Sequence, residues 1–208
     1  MQNKQKKLMI ILSSPSGAGK TSICKELLKI DKKLRMSISA TTRPKRPSEI
    51  NKVDYFFYTE KDFKKYLRNK KFLEYAHIFG NYYGTPTEFV ENTLKEGFDV
   101  IFDIDWQGTQ QLVKKVKKEL ISFFILPPNT KELRKRLEKR NEDSLVTVEN
   151  RMSKARSEIS HWNEYDYVII NDNLKRCVKE ILQIINVERK KRQRLTEIKS
   201  FVDFLIRK

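Results

Sequence analysis

Apolar and polar positions fall into blocks along this chain whose lengths separate strands from helices. Leu8–Leu12, in "KLMIIL", is a short unbroken apolar run that stops at a turn, the pattern of a buried strand. Past the turn, Ile23, Leu27 and Leu28 recur at helical spacing in "KTSICKELLKI", which predicts a helix. "RMSIS" predicts a second strand, and "ATTRPKRPSEINKVD" an exposed loop, since Pro44 and Pro47 withhold backbone donors from any regular ladder. "YFFY" reads as strand, and "TEKDFKKYLRNK" as a helix capped by Thr59. "FLEYAHIFGNYYG" reads as two short strands around Gly80 and Asn81. "TPTEFVENTLKEG" reads as a helix with Thr85 or Thr87 at its cap and Gly97 past its end.

From there the rhythm is regular. "FDVIFDID" predicts a strand, "QGTQQLVKKVKK" a helix, "ISFFILPP" a strand and "NTKELRKRLEKR" a helix. A polar interruption at Asn141–Ser144 precedes a helix to about Asn163, the strand "YVII" and a long C-terminal helix. Strands alternating with helices in this way predict an α/β fold, a mostly parallel sheet covered by helices on both faces. The segment 37–85 breaks the rhythm with shorter, more aromatic strands, and predicts a small mixed α/β lobe inserted into the sheet. One domain is expected, its core made of 5–36, 86–140 and 160–208, with the interruption and following helix, 141–159, forming a helical lid.

Composition narrows this picture. A length of 208 residues suits one domain, and a mean hydropathy of −0.65 excludes a chain made of membrane spans. Cys24 and Cys177 are far apart and no C-x-x-C or histidine pair accompanies them, so neither a disulfide framework nor a zinc site is expected, and a cytoplasmic setting fits. The formal net charge of +17 raises nucleic-acid binding. Its lysines are scattered along the whole chain and no recognition motif accompanies them, so no dedicated nucleic-acid site is expected.

The densest chemistry lies in "LSSPSGAGKTSIC". Ser14, Pro15, Ser16, Gly17, Ala18, Gly19, Lys20 and Thr21 follow a strand and open a helix, the context in which successive backbone N–H groups cradle phosphate. Ser14 stands where the strict pattern asks for a first glycine, at the strand exit, where a small residue suffices. Lys20 reaches the outer phosphates, and the Thr21 hydroxyl suits Mg²⁺. "VIFDID" ends a buried strand in Asp103 and Asp105, whose spacing of two puts both on one face at the carboxyl edge of the sheet. Asp103 thereby becomes a candidate metal group, acting through water. The 37–85 segment adds the planar forks of Arg43 and Arg46, the carboxylate of Glu74, and hydroxyls at Tyr55, Tyr82, Tyr83 and Thr85, a set with a phosphate end and a base end.

These motifs, in order over about Leu8 to Arg194, resemble the guanylate kinases: "SSPSGAGKTS", "TTRPKRP", "DYFFY", "EYAHIFGNYYGTP", "DIDWQG" and "RMSKARSEISHWNEYDYVIIND". The resemblance implies a P-loop core that binds ATP, a Mg²⁺ cofactor, a GMP-binding lobe at 37–85, and transfer of a phosphoryl group from ATP to GMP. It implies that Arg43, Arg46, Tyr55 and Tyr83 hold the acceptor's phosphate and that Ser39, Glu74, Thr85 and Asp105 read the guanine. It also implies that Arg140 and Arg151 are lid arginines that join Lys20 and Arg43 in catalysis. Asn171, in "VIIND", is a candidate for the adenine edge. Three other readings stand beside this one: another nucleoside monophosphate kinase, a scaffold that keeps the fold without catalysis, and a basic nucleic-acid binder. The tail "LTEIKSFVDFLIRK" places Leu195, Ile198, Val202 and Leu205 on one helical face; packing on the domain, a homodimer and a membrane surface are open for it, although no membrane partner is expected overall.

Overall fold

The computed structural model describes residues 5–78, 80–116, 119–140 and 145–207, with backbone only at 139–140 and 145–147. Its centre is β1 (Met9–Ser13), all five residues of which are buried. Because successive side chains on a strand point to opposite faces, Ile10 and Leu12 pack on one side and Met9 and Ile11 on the other. Both faces must therefore be covered, which is why the run is continuously apolar. On the first face lie α1 (Lys20–Ile30) and α7 (Leu174–Arg189), through Ile23, Leu27, Ile181 and Ile185. On the second lie α3 (Thr87–Lys95) and α4 (Trp106–Val116), through Val90 and Leu112. Each such aliphatic side chain contributes about 1.5–3 kcal/mol by leaving water.

The remaining strands of this sheet are β2 (Leu34–Met36), β7 (Asp99–Asp103), β8 (Leu120–Leu126) and β9 (Tyr167–Ile170), in the order β2-β7-β1-β8-β9. Every pairing is parallel, and Leu12 lies opposite Asp103 on one side and Phe123 on the other. The strand that leads into the glycine loop and the acid-bearing strand are thus direct neighbours, and both end at the same edge of the sheet.

A second, four-stranded sheet is made by β3 (Ala40–Thr41), β4 (Phe56–Phe57), β5 (Phe72–Ile78) and β6 (Asn81–Pro86), in the order β4-β3-β6-β5. It is mixed: β3 runs parallel to β4 and antiparallel to β6. Helix α2 (Glu60–Arg68) covers it through Phe63, whose ring stacks at 4.5 Å on Phe72 and at 5.4 Å on Tyr82. Thr59 caps α2 as expected, accepting a hydrogen bond from the Asp62 N–H. Two side chains of α4 fasten the sheet to the core. Gln111 exchanges hydrogen bonds with both backbone groups of Tyr75, and Lys115 donates to the Leu73 carbonyl at 2.6 Å.

Helices α5 (Thr130–Arg140) and α6 (Leu145–Ile159) pack on each other through Leu133, Leu137, Val148, Met152 and Ala155. The polar turn expected at 141–144 lies outside the described residues.

Three sequence expectations are corrected. Ala40–Thr41, read as loop, is a strand, because two residues are too few to show a period. The cap of α3 is Pro86, with neither Thr85 nor Thr87 in that role; a fixed φ near −65° suits a helix entry without any side-chain bond. The long C-terminal helix breaks at Lys190, and α8 (Ile198–Ile206) is separate, with Phe201, Val202, Phe204, Leu205 and Ile206 exposed.

Candidate active site

The loop between β1 and α1 bends through two left-handed glycines, Gly17 at φ +88° and Gly19 at φ +100°. Any side chain would be strained there. Space forbids one as well: a Cβ on Gly19 would stand 2.4 Å from Asn171 Nδ2. That amide donates to the Ala18 carbonyl at 2.7 Å, so the structure turns Asn171, a candidate for the adenine edge, against the loop's own backbone. Arg136 of α5 reaches the same spot, donating to the carbonyls of Ala18 and Asn171.

Lys20, first residue of α1, lies between Asp103 Oδ1 at 2.8 Å and the Ile104 carbonyl at 3.0 Å. Burial works against its charge, yet Asp103, with smaller contributions from its neighbours including Asp105, holds the ammonium above its ordinary range. Asp103, expected at a metal, is therefore also the partner of Lys20. Asp105 differs from its sequence reading. The strand ends at Asp103, so strand alternation does not place Asp105; it caps α4 by accepting a 2.9 Å bond from the Gly108 N–H. Both acids nevertheless face one cavity.

That cavity, of about 810 Å³, is lined by Ser14, Pro15, Ser16, Gly17, Gly19, Lys20 and Thr21 of the loop, by Ser39 and Tyr55 of the second-sheet segment, and by Asp103 and Asp105. Ala18 lies buried beneath it. Beyond Asp105 stands Glu74 on β5, only 4% exposed, its Oε1 accepting a 2.5 Å hydrogen bond from the Thr85 hydroxyl on the facing strand β6. Burial pushes the Glu74 carboxyl up to about 7, with the charge of Asp105 acting the same way and the Thr85 bond opposing it. Gly108 makes room for it: a Cβ there would lie 2.7 Å from Glu74 Oε2.

Arg43 is held by the two oxygens of Glu49, at 2.7 and 3.1 Å, and its guanidinium lies 5.5 Å from the centre of the Tyr55 ring. The rings of Tyr55 and Tyr83 meet edge-on at 6.3 Å. Arg46 is exposed and also served by Glu49, which accepts its backbone N–H at 2.8 Å. Arg151 is half-buried on α6, and the side chain of Arg140 lies outside the described residues.

The structure adds two groups the sequence reading passed over, Glu49 inside a proline-rich loop whose charges looked solvated and Glu158 on α6. Arg136, in a helical charge run that reads as a solvated face, rests on the loop instead. A signal existed for Arg136: it follows Leu133 by three residues and so shares the buried face of α5.

A family model described as guanylate kinase matches residues 6–188. The guanylate kinase of Rickettsia prowazekii (strain Madrid E) is 52% identical over 191 residues, covering 92% of this chain and 96% of that protein. That of Novosphingobium aromaticivorans is 48% identical over 200 residues, covering 96% and 90%. The crystal structure of guanylate kinase from Anaplasma phagocytophilum superposes with a TM-score of 0.80 at 30% identity, over 98% of this chain and 97% of that one. By the extent of these matches, this chain belongs to the guanylate kinase family.

Proposed function

We propose that the protein transfers the γ-phosphoryl group of ATP to GMP, giving ADP and GDP, in the cleft between the phosphate loop and the second sheet. One observation carries the reading: Asp105 lines one cavity with Lys20 and the glycine loop, and it accepts the N–H of Gly108, the residue packed against the buried carboxyl of Glu74. ATP takes the loop Ser14–Thr21, and GMP takes the side built by Ser39, Arg43, Arg46, Tyr55, Glu74, Tyr83, Thr85 and Asp105.

Guanine presents two donors on one edge, N1–H and N2–H₂; adenine presents neither. A buried carboxylate accepts both, and a base without them leaves it desolvated and unpaired, which is how such a site rejects analogues. With Oε1 of Glu74 steadied by Thr85, the direction of the carboxylate is set before GMP arrives. At the other end, the Arg43 fork is paired with Glu49 beside Tyr55 and Tyr83, and the phosphate would take donors that Glu49 now holds.

Phosphoryl transfer needs alignment and neutralised charge more than covalent help from the protein. Lys20 supplies positive charge at the loop, and Arg140 and Arg151 are the proposed additions when the lid segment 141–159 closes. The Thr21 hydroxyl, with Asp103 through water, offers the hard oxygen donors that suit Mg²⁺. Bound there with ATP, the ion would neutralise phosphate charge as the bond to the leaving oxygen breaks. Every residue named belongs to one chain, and nucleic acid and membrane have no part in the reading. Among the described residues no helix is long and apolar enough to cross a membrane, and the cytoplasm is the compartment proposed. The test offers the purified protein ATP, Mg²⁺ and, in turn, GMP, AMP, UMP and dTMP while ADP release is followed. GMP is expected to exceed each other acceptor by 100-fold or more, roughly the discrimination available to a site that bonds a polar edge. Comparable rates with AMP or UMP would remove the guanine reading.

A further inference from the structure

Glu158 stands in the last turn of α6, and its Oε2 accepts a 3.0 Å hydrogen bond from the backbone N–H of Ser16. Ser16 is part of the phosphate loop, and Glu158 lines the same cavity as Lys20, Asp103 and Asp105. Backbone N–H groups in such a loop select anions, and here the anion beside them is the protein's own carboxylate. Holding it there is unfavourable in itself: burial raises the Glu158 carboxyl above its ordinary range and Asp105 repels it, while the Ser16 N–H and Lys20 draw it back. The position is one that an incoming phosphate contests. Two anions about 4 Å apart repel by roughly 1 kcal/mol even in water, and by more in a closed cleft.

The helices that carry this contact also rest on the loop. A Cβ on Gly17 would meet Leu137 of α5 at 3.0 Å, Arg136 donates to the Ala18 carbonyl, and α5 is bound to α6 by their shared apolar cluster. We infer that Glu158 is an internal counter-anion of the phosphate loop, seated on Ser16 while nucleotide is absent and expelled by the nucleotide's phosphates, so that ATP binding releases the end of α6. The end of the helix bearing Arg151 then loses its hydrogen bond to the loop when a donor binds, while the contacts of α5 with the loop remain.

The inference rests on the reading of Ser14–Thr21 as the ATP site, and the experiment separates the two. Calorimetry measures binding of inorganic tripolyphosphate and of ATP to the wild type, to Glu158→Gln, which keeps an acceptor oxygen without charge, and to Glu158→Ala. Both variants are expected to bind tripolyphosphate roughly 5-fold more tightly, the change that removing about 1 kcal/mol of repulsion gives. Hydrogen exchange adds a second readout. Tripolyphosphate should raise amide exchange over 153–160 in the wild type, whereas Glu158→Ala should show raised exchange beforehand and no further response. Unchanged or weaker binding by both variants, or an unresponsive wild-type α6, overturns the inference. A wild type that binds neither probe overturns the phosphate-site reading itself. Should Glu158→Ala fail to fold, as judged by circular dichroism, Glu158→Gln decides the binding outcome alone.

Discussion

Replacing Glu74 by Gln should damage GMP use and stabilise the empty protein, two effects of opposite sign from one buried carboxylate. The group is 4% exposed, and burial raises its carboxyl from an ordinary 4.5 to about 7. A raised folded value means that the folded state holds the proton more tightly than the unfolded chain. The stability it contributes is therefore full below 4.5 and is lost as pH rises through 7. A shift of that size corresponds to roughly 3–4 kcal/mol at most, on the order of 1.4 kcal/mol per unit. At pH 8, Glu74→Gln should accordingly melt several degrees above the wild type, at about 2–4 °C per kcal/mol for a chain of this size. At pH 4.5 the two should melt together. Kinetically, the amide cannot accept both guanine donors, so kcat/KM for GMP should fall by about 10²-fold if each charged bond contributes roughly 1.5–3 kcal/mol. Scanning calorimetry at the two pH values and initial rates with varied GMP check both halves. Equal melting differences at both pH values would refute the burial argument, and unchanged GMP kinetics would take Glu74 out of the site.

The same ionisation predicts that the KM for GMP rises as pH falls below about 7 in the wild type, a dependence that Glu74→Gln should lack in steady-state profiles. Lys20→Ala should lower kcat by roughly 10³-fold or more, as losses of a charge-stabilising group do, with the circular dichroism spectrum retained; near-normal turnover would exclude the loop as the donor site. Arg43→Lys should raise the KM for GMP with little change for ATP, because an ammonium cannot replace the planar fork now paired with Glu49; equal effects on both substrates would count against its place at the acceptor phosphate. Gly19→Ala should abolish the thermal shift given by ATP, since its Cβ would collide with Asn171 at 2.4 Å; a preserved shift would show that the loop tolerates a side chain.

What could be read from sequence was what is local. The apolar run before the glycines, the Gly-Lys-Thr turn and the Thr59 cap each sit within a few residues of their physical cause. The parallel pairing of β1 with β7 then sets Asp103 beside the loop, as the acid at the strand's end suggested, but its ion pair with Lys20 was not read. The unread parts depend on distance along the chain or on very short elements. Glu158 meets Ser16 across 142 positions, and Asn171 meets Ala18 across 153; no periodicity marks such partners. Asp105 was placed by strand alternation, yet the strand stops two residues earlier and a helix cap takes over. Glu49 looked like a solvated loop acid and is the group that fixes Arg43.

Transfer itself gives the most direct test: ATP labelled in its γ-phosphate, mixed with excess protein, Mg²⁺ and GMP, and quenched within one turnover. The account predicts that the label appears in GDP, and that AMP in place of GMP receives almost none. Label released as inorganic phosphate, or passed equally to AMP, would contradict a cleft in which the phosphate loop faces a guanine-reading carboxylate.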